Sequence, residues 1–231
     1  RGSGLSLTQY QRLREWGIDG VTLGDHAYRH QRIATVLERA EEPIIRPLNL
    51  SADAAGKSMM RLPLNGEGRE VVVMTLLGRI FMNLPADNPF TAVDESLRRL
   101  SAAGDPIIIV EVHMEATSEK AALAHHLDGR VAAVIGTHTH VPTADARLMP
   151  RGAAFISDVG MCGPTASVIG RDPKGVLHHM RTGMYAPFEV GTGGEKMCGV
   201  LLRLDRESGR PLSIERFEYA ADLGAPPFSS G

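Results

Sequence analysis

The chain has 231 residues, 43% of them apolar and 23% charged, with a formal net charge of -2 and a pI near 6.5. That is enough apolar material to bury a sizeable core, and a single α/β domain over residues 1–231 is the expectation. The near-neutral balance and the lack of a Lys/Arg-rich tract argue against broad nucleic-acid or anionic-membrane binding, and no apolar run reaches about 18 residues, so the cytoplasm is the default compartment.

In chain order, Ser6 to Gln9 reads as a capping box that opens a helix with Leu7, Tyr10, Leu13 and Trp16 on one face and Gly17 as its stop. The run Gly20 to Gly24 follows as a strand, His30 to Ala40 as a helix and Pro43 to Asn49 as an extended segment. Val71 to Leu77 reads as a strand and Thr91 to Ala102 as a helix with Phe90, Val93 and Leu97 on its apolar side. Pro106 to Val112 and Val131 to Gly136 are strands on either side of a helix from Ser118 to Leu127, and Ala153 to Ile156 is a further strand. Beyond them, Phe188 to Val190, Met197 to Leu204 and Leu212 to Tyr219 predict a C-terminal β meander.

The runs Gly20–Gly24, Pro106–Val112 and Val131–Gly136 are Val/Ile-rich without alternation, as in strands covered on both faces of a parallel sheet. Each ends in metal-binding residue types: Asp25 and His26, then His113, then His138 and His140. In an open α/β sheet the loops at the carboxyl ends of such strands share one edge, where ligands collect. Neutral imidazoles with a carboxylate suit Zn, Fe, Mn or Ni. Thr137 and Thr139 offer hydroxyls to fix the loop between the last two histidines. On pattern alone Asp25 reads equally as a helix N-cap and His26 as a hydrogen-bonded loop residue. His125, His126, His178 and His179 read as ordinary surface residues.

Several familiar chemistries are excluded. There is no H-E-x-x-H, no G-x-S-x-G and no Walker loop. His113-Met-Glu115 matches the H-x-E of zinc deaminases, yet no P-C-x-x-C follows. The two cysteines, Cys162 and Cys198, are too few for a disulfide framework or a Cys-rich zinc site, and read as free thiols.

The ordered blocks Gly24-Asp-His26, Arg46-Pro-Leu-Asn49, His113-Met-Glu-Ala-Thr-Ser-Glu-Lys120, Gly136-Thr-His-Thr-His-Val-Pro-Thr-Ala-Asp145 and Ser157-Asp-Val-Gly-Met161 closely resemble the bacterial YmdB-type metallophosphoesterases of the calcineurin-like superfamily. The resemblance runs over nearly the whole chain. It implies a calcineurin-like α/β sandwich and a two-metal phosphodiesterase for cyclic nucleotides, with 2′,3′-cyclic AMP the usual test substrate and iron or manganese, or else zinc, as the metal. By the same resemblance Asp25, His113 and His138 bind one ion, His140 binds the other, and His26 is catalytic. Asp25 stands where the family has asparagine, which keeps an oxygen donor and adds a negative charge. Arg46, Asn49 and Arg79 are candidates for substrate contact, although surface ion pairs explain the arginines equally well. Self-association is a further implication.

Family members begin with a strand ending in Gly-Asp and a second ending in Asn-Gly-Glu-Asn, which supply an aspartate, a bridging glutamate and an asparagine to the metals. Arg1 to Leu5 resembles the segment after that second motif. The expectation is therefore that the first βαβ unit lies outside this sequence and that one metal site is incomplete within it. A non-catalytic nucleotide-binding regulator and a phosphomonoesterase are the alternative readings.

Overall fold

The computed structural model describes residues 3–64 and 69–220. Arg1 and Gly2, the start of the segment compared above with the family's N-terminal motif, lie outside them. Helix α1 (Leu7–Glu15) starts where Ser6 accepts from the Gln9 N–H and the Gln9 side chain accepts from the Ser6 N–H, which is the expected capping box. Tyr10 is buried, but Trp16 is exposed rather than on the packed face. There follow β1 (Val21–Thr22), a 3-10 turn (Gln31–Ile33), α2 (Ala34–Leu37), β2 (Ile44–Ile45), β3 (Met59–Pro63), β4 (Glu70–Leu77), α3 (Pro89–Ala103), β5 (Ile107–His113) and α4 (Thr117–Leu127). Then come β6 (Ala133–Thr137), β7 (Arg147–Leu148), β8 (Ala154–Ile156), β9 (Gly163–Pro164), α5 (Pro173–Thr182), β10 (Glu195–Leu204) and β11 (Pro211–Ala220).

Six strands form one sheet in the order β3-β4-β5-β6-β8-β7. Its four inner strands run parallel, and only the edge strands β3 and β7 are antiparallel. The carboxyl ends of β4, β5 and β6 therefore lie together, with Leu77 and Thr137 as the ladder partners of His113. One face is covered by α3 and α4, whose Val93, Leu97, Leu100, Leu123 and Leu127 pack on Val72, Met74, Val110, Val112 and Val134. Each such side chain contributes about 1.5–3 kcal/mol on burial. Because strand side chains alternate, the neighbours Thr75, Glu111 and His113 point away from that core.

The expectation of largely parallel central strands and a C-terminal β meander is borne out, with three corrections. The run Gly20 to Gly24 is not a strand of the main sheet. Only Val21 and Thr22 form a ladder, with Ile44 and Ile45 of β2 as parallel partners. This pair and α2 make a small βαβ unit whose core holds Tyr10, Leu23, Ile33, Val36, Leu37 and Ile44. The helix expected over His30 to Ala40 shrinks to the 3-10 turn and α2. Neither N-cap makes a side-chain hydrogen bond, and Ile33, Thr35 and Val36 are β-branched in a short segment. Phe188 to Val190 is likewise no strand, and only Val190 makes an isolated bridge, to Arg171.

Candidate metal centre

Three of the predicted residues come together at the carboxyl edge. Asp25 Oδ1 lies 3.0 Å from His113 Nε2, His138 Nδ1 lies 3.1 Å from the same nitrogen, and the three donor atoms are all within 4.8 Å of one another. Asp25 belongs to the turn after β1, His113 ends β5 and His138 follows β6. One carboxylate oxygen and two imidazole nitrogens suit a first-row divalent ion. They form the floor of a cavity of about 610 Å³ that His26, Glu115, His140, Ile169 and Arg171 also line.

Close backbone approaches make this convergence possible. A Cβ on Gly24 would collide with the His113 ring, and one on Gly136 would collide with the Ser157 carbonyl. The loop after β6 holds His138 at φ 98° and His140 at φ 67°, a left-handed conformation that non-glycine residues seldom adopt without support. Support comes from below. The Thr139 N–H donates to Asp158 Oδ2 (2.9 Å), the Gly160 N–H to Asp158 Oδ1 (2.9 Å), and Lys120 Nζ reaches Asp158 Oδ2 at 2.9 Å with side chains only 2% and 1% exposed. Glu119, one residue earlier, accepts the N–H groups of Arg79 and Ile80. The Glu-Lys pair of the fourth helix thus braces two loops of the site edge.

Both candidate ligand rings have partners on their other nitrogens. Thr137 Oγ1 donates to Glu111 Oε1 (2.6 Å) and lies 2.8 Å from His113 Nδ1. Glu115 Oε2 is 3.2 Å from His138 Nε2. The electrostatics follow from these contacts. The hydrogen bond from His113 holds Asp25 down at about 2. Burial lowers the basicity of His113, but hydrogen bonds and charge from Asp25 and Glu111 win and raise its pKa to about 9. Burial and then the charge of His113 lower His138. Burial alone would raise Glu111, yet His113 and Thr137 keep it below the usual carboxylate range, hence ionised.

The other predicted residues are placed differently. His26 is 57% exposed, its Nδ1 3.9 Å from Asp25 Oδ2, at the cavity wall. His140 also lines the cavity, but its Nδ1 is bound to the Ile169 carbonyl (3.0 Å), and among the described residues it is not part of a three-donor group. Arg46 and Asn49 do not line this cavity. Arg46 is buried against the Gly56 and Pro47 carbonyls, and Asn49 donates to the Leu77 and Asp87 carbonyls while accepting from the Leu77 N–H. Asn49 thereby pins the end of β4. Arg79 is likewise outside the lining, with its backbone tied to Glu119. Sequence reading misses Glu111, Glu115 and Arg171 as residues around the centre. Glu111 carries a signal, an acid two residues before a histidine in an apolar strand and so on the same face.

The family model described as YmdB-like protein matches residues 1–217. A curated relative, the 2′,3′-cyclic-nucleotide 2′-phosphodiesterase of Bacillus subtilis (strain 168), is 37% identical over 215 residues, 93% of this chain and 80% of its own length. A crystal structure of a hypothetical protein from Thermus thermophilus superposes with a TM-score of 0.87 at 42% identity, covering 95% of this chain and 83% of that one. A structure described as a novel phosphatase from Mycoplasma pneumoniae gives 0.84 at 34% identity, over 94% and 77%. The expected class, a metallophosphoesterase enzyme, is borne out by these matches. With the family model running from residue 1 to 217 and the same blocks carrying the site, the chain belongs to the YmdB-like protein family.

Proposed function

We propose that this chain is a metal-dependent phosphodiesterase that opens cyclic nucleotides of the 2′,3′ type. The observation that carries the reading is the convergence of Asp25, His113 and His138 on the floor of a cavity with an exposed histidine, His26, on its wall. The name of the Bacillus subtilis relative supports the substrate class. Divalent ions, iron or manganese, held by Asp25, His113 and His138 and, for a second ion, by His140, would supply Lewis acidity toward the phosphate oxygens and an activated water.

The chain's own groups do the rest. In hydrolysis, water adds to phosphorus, one P–O(ribose) bond breaks and the released ribose oxygen takes a proton. His26 gives that proton in this reading, a role supported by its solvent-accessible ring beside Asp25. Arg171 brings a positive charge to the cavity lining, where a phosphate is drawn in. The braced loop between Thr137 and His140 keeps the two histidines in register with Asp25, so substrate meets a preorganised wall. The two cysteines are free thiols, which suits a reducing compartment such as the cytoplasm as the place of work. Among the described residues no helix is long and apolar enough to cross a membrane.

The test is hydrolysis of 2′,3′-cyclic AMP beside an open phosphomonoester, with and without added manganese. Metal-stimulated consumption of the cyclic diester, abolished by His113→Ala, is the expected result. Consumption of the monoester alone would favour a phosphomonoesterase, which the Mycoplasma pneumoniae neighbour's description makes the second reading.

A further inference from the structure

The polar seam on the face of the sheet turned away from α3 and α4 consists of Thr75 on β4, which is fully buried, Glu111 on β5 and Thr137 on β6, beside His113. Glu111 accepts from both threonines, from Thr75 Oγ1 at 2.8 Å and Thr137 Oγ1 at 2.6 Å. Each contact joins neighbouring strands, for Thr75 is the ladder partner of Glu111 and Thr137 that of His113. With the Thr137 hydroxyl proton committed to the carboxylate, the lone pair of Oγ1 faces His113 Nδ1 at 2.8 Å, so Nδ1 is the donor. Glu111 itself is 3.8 Å from Nδ1 and acts on the ring through the hydroxyl.

We infer that Glu111 and Thr137 are positioning residues that commit His113 to the Nδ1–H tautomer and aim its Nε2 lone pair at the metal. The inference rests on the metal-hydrolase reading above and deepens it. A carboxylate behind a ligating imidazole fixes the ring and raises its donor strength. Here the carboxylate is relayed by a hydroxyl because the strand period puts Glu111 one ladder step behind His113, while Thr137 stands beside the ring. Packing alone does not call for this arrangement. A valine at 137 would fill the same volume, and a Thr–Glu–Thr bridge across three strands costs desolvation that an apolar trio avoids. Glu115 does the corresponding service for His138 from the solvent side, with Oε2 3.2 Å from Nε2.

The experiment compares wild type, Thr137→Val and Thr137→Ser for manganese(II) affinity by calorimetry and for the ligand-field spectrum of the cobalt(II) form, with far-UV circular dichroism to establish folding. Thr137→Val is expected to lose roughly 10–100-fold in affinity and to change the cobalt spectrum, and Thr137→Ser, which keeps the hydroxyl, to recover both. Valine behaving like wild type, or serine failing as badly as valine, would overturn the relay while leaving the metal site intact. Wild type that binds neither ion would overturn the metal-hydrolase reading and the relay together. Should Thr137→Val not fold, Glu111→Gln asks the same question at the other end of the relay. It is expected to lose at least about tenfold in affinity, and wild-type affinity in that variant would equally overturn the proposal.

Discussion

Replacing Lys120 with methionine removes the ammonium group that Asp158 faces and leaves a carboxylate only 1% exposed. Breaking a buried ion pair from one side costs about 3–5 kcal/mol. Asp158 keeps its hydrogen bonds from the Thr139 and Gly160 N–H groups, so Lys120→Met should fall near the lower end, about 3 kcal/mol. Asp158→Asn should cost more, because it leaves the buried ammonium without a counter-charge, and its single amide oxygen can accept from only one of the Thr139 and Gly160 N–H groups, the other then facing an NH2 donor at a cost of about 1–3 kcal/mol. The double variant should recover part of the loss, since an uncharged pair has no buried charge to satisfy. Guanidinium unfolding followed by circular dichroism in metal-free buffer measures all four proteins, and in a chain of this size each kcal/mol lowers the melting midpoint by about 2–4 °C. A loss below about 1 kcal/mol for Lys120→Met, or a milder effect of Asp158→Asn than of Lys120→Met, would refute the claim that this pair braces the His138 loop.

Three further outcomes follow from the same geometry. His26→Ala should spare metal binding and lower turnover by roughly 10²–10⁴-fold, and metal loss as complete as in His113→Ala would show that the division of labour is wrong. Gly24→Ala should lower manganese affinity by at least about tenfold with little change in secondary structure, because the new methyl occupies the space of the His113 ring; unaltered affinity would mean that this close approach does not set the site. His113, raised to about 9 in the metal-free fold from an ordinary 6.5, carries a proton that a metal ion must displace. Calorimetry in buffers of different ionisation enthalpy at about pH 7.5 should therefore show release of close to one proton per ion, vanishing near pH 10. The same shift makes His113 stabilise the metal-free fold fully below 6.5, a contribution lost as pH rises through about 9.

Much of this arrangement is legible in the sequence because it follows from local rules. The capping box at Ser6, the apolar runs of β5 and β6 and the histidines that end them all lead directly to their observed places. What the sequence hides is set by partners distant along the chain. Gly20 to Gly24 has the composition of a central strand, yet its ladder is with β2, a choice made by tertiary pairing that composition does not encode. Helix α5 is absent from the sequence reading although Asp172 caps Lys174, Pro173 opens the helix and Gly183 closes it in the left-handed region, a start-and-stop signature that local rules contain. Asn49 is polar within a resemblance block, and only the fold shows that, among the described residues, its side chain makes hydrogen bonds to the Leu77 and Asp87 backbone. Lys120 and Asp158 stand 38 residues apart, and only the fold shows that they form one buried pair beneath Thr139.

The central claim is that Asp25, His113 and His138 together bind a catalytic metal. Anomalous diffraction from crystals grown with manganese, recorded near the manganese absorption edge, tests it most directly. A peak is expected within about 2.0–2.3 Å of Asp25 Oδ1, His113 Nε2 and His138 Nδ1, and it should disappear in His113→Ala. No peak at that point in protein that hydrolyses 2′,3′-cyclic AMP, or a peak that persists unchanged in His113→Ala, would contradict it.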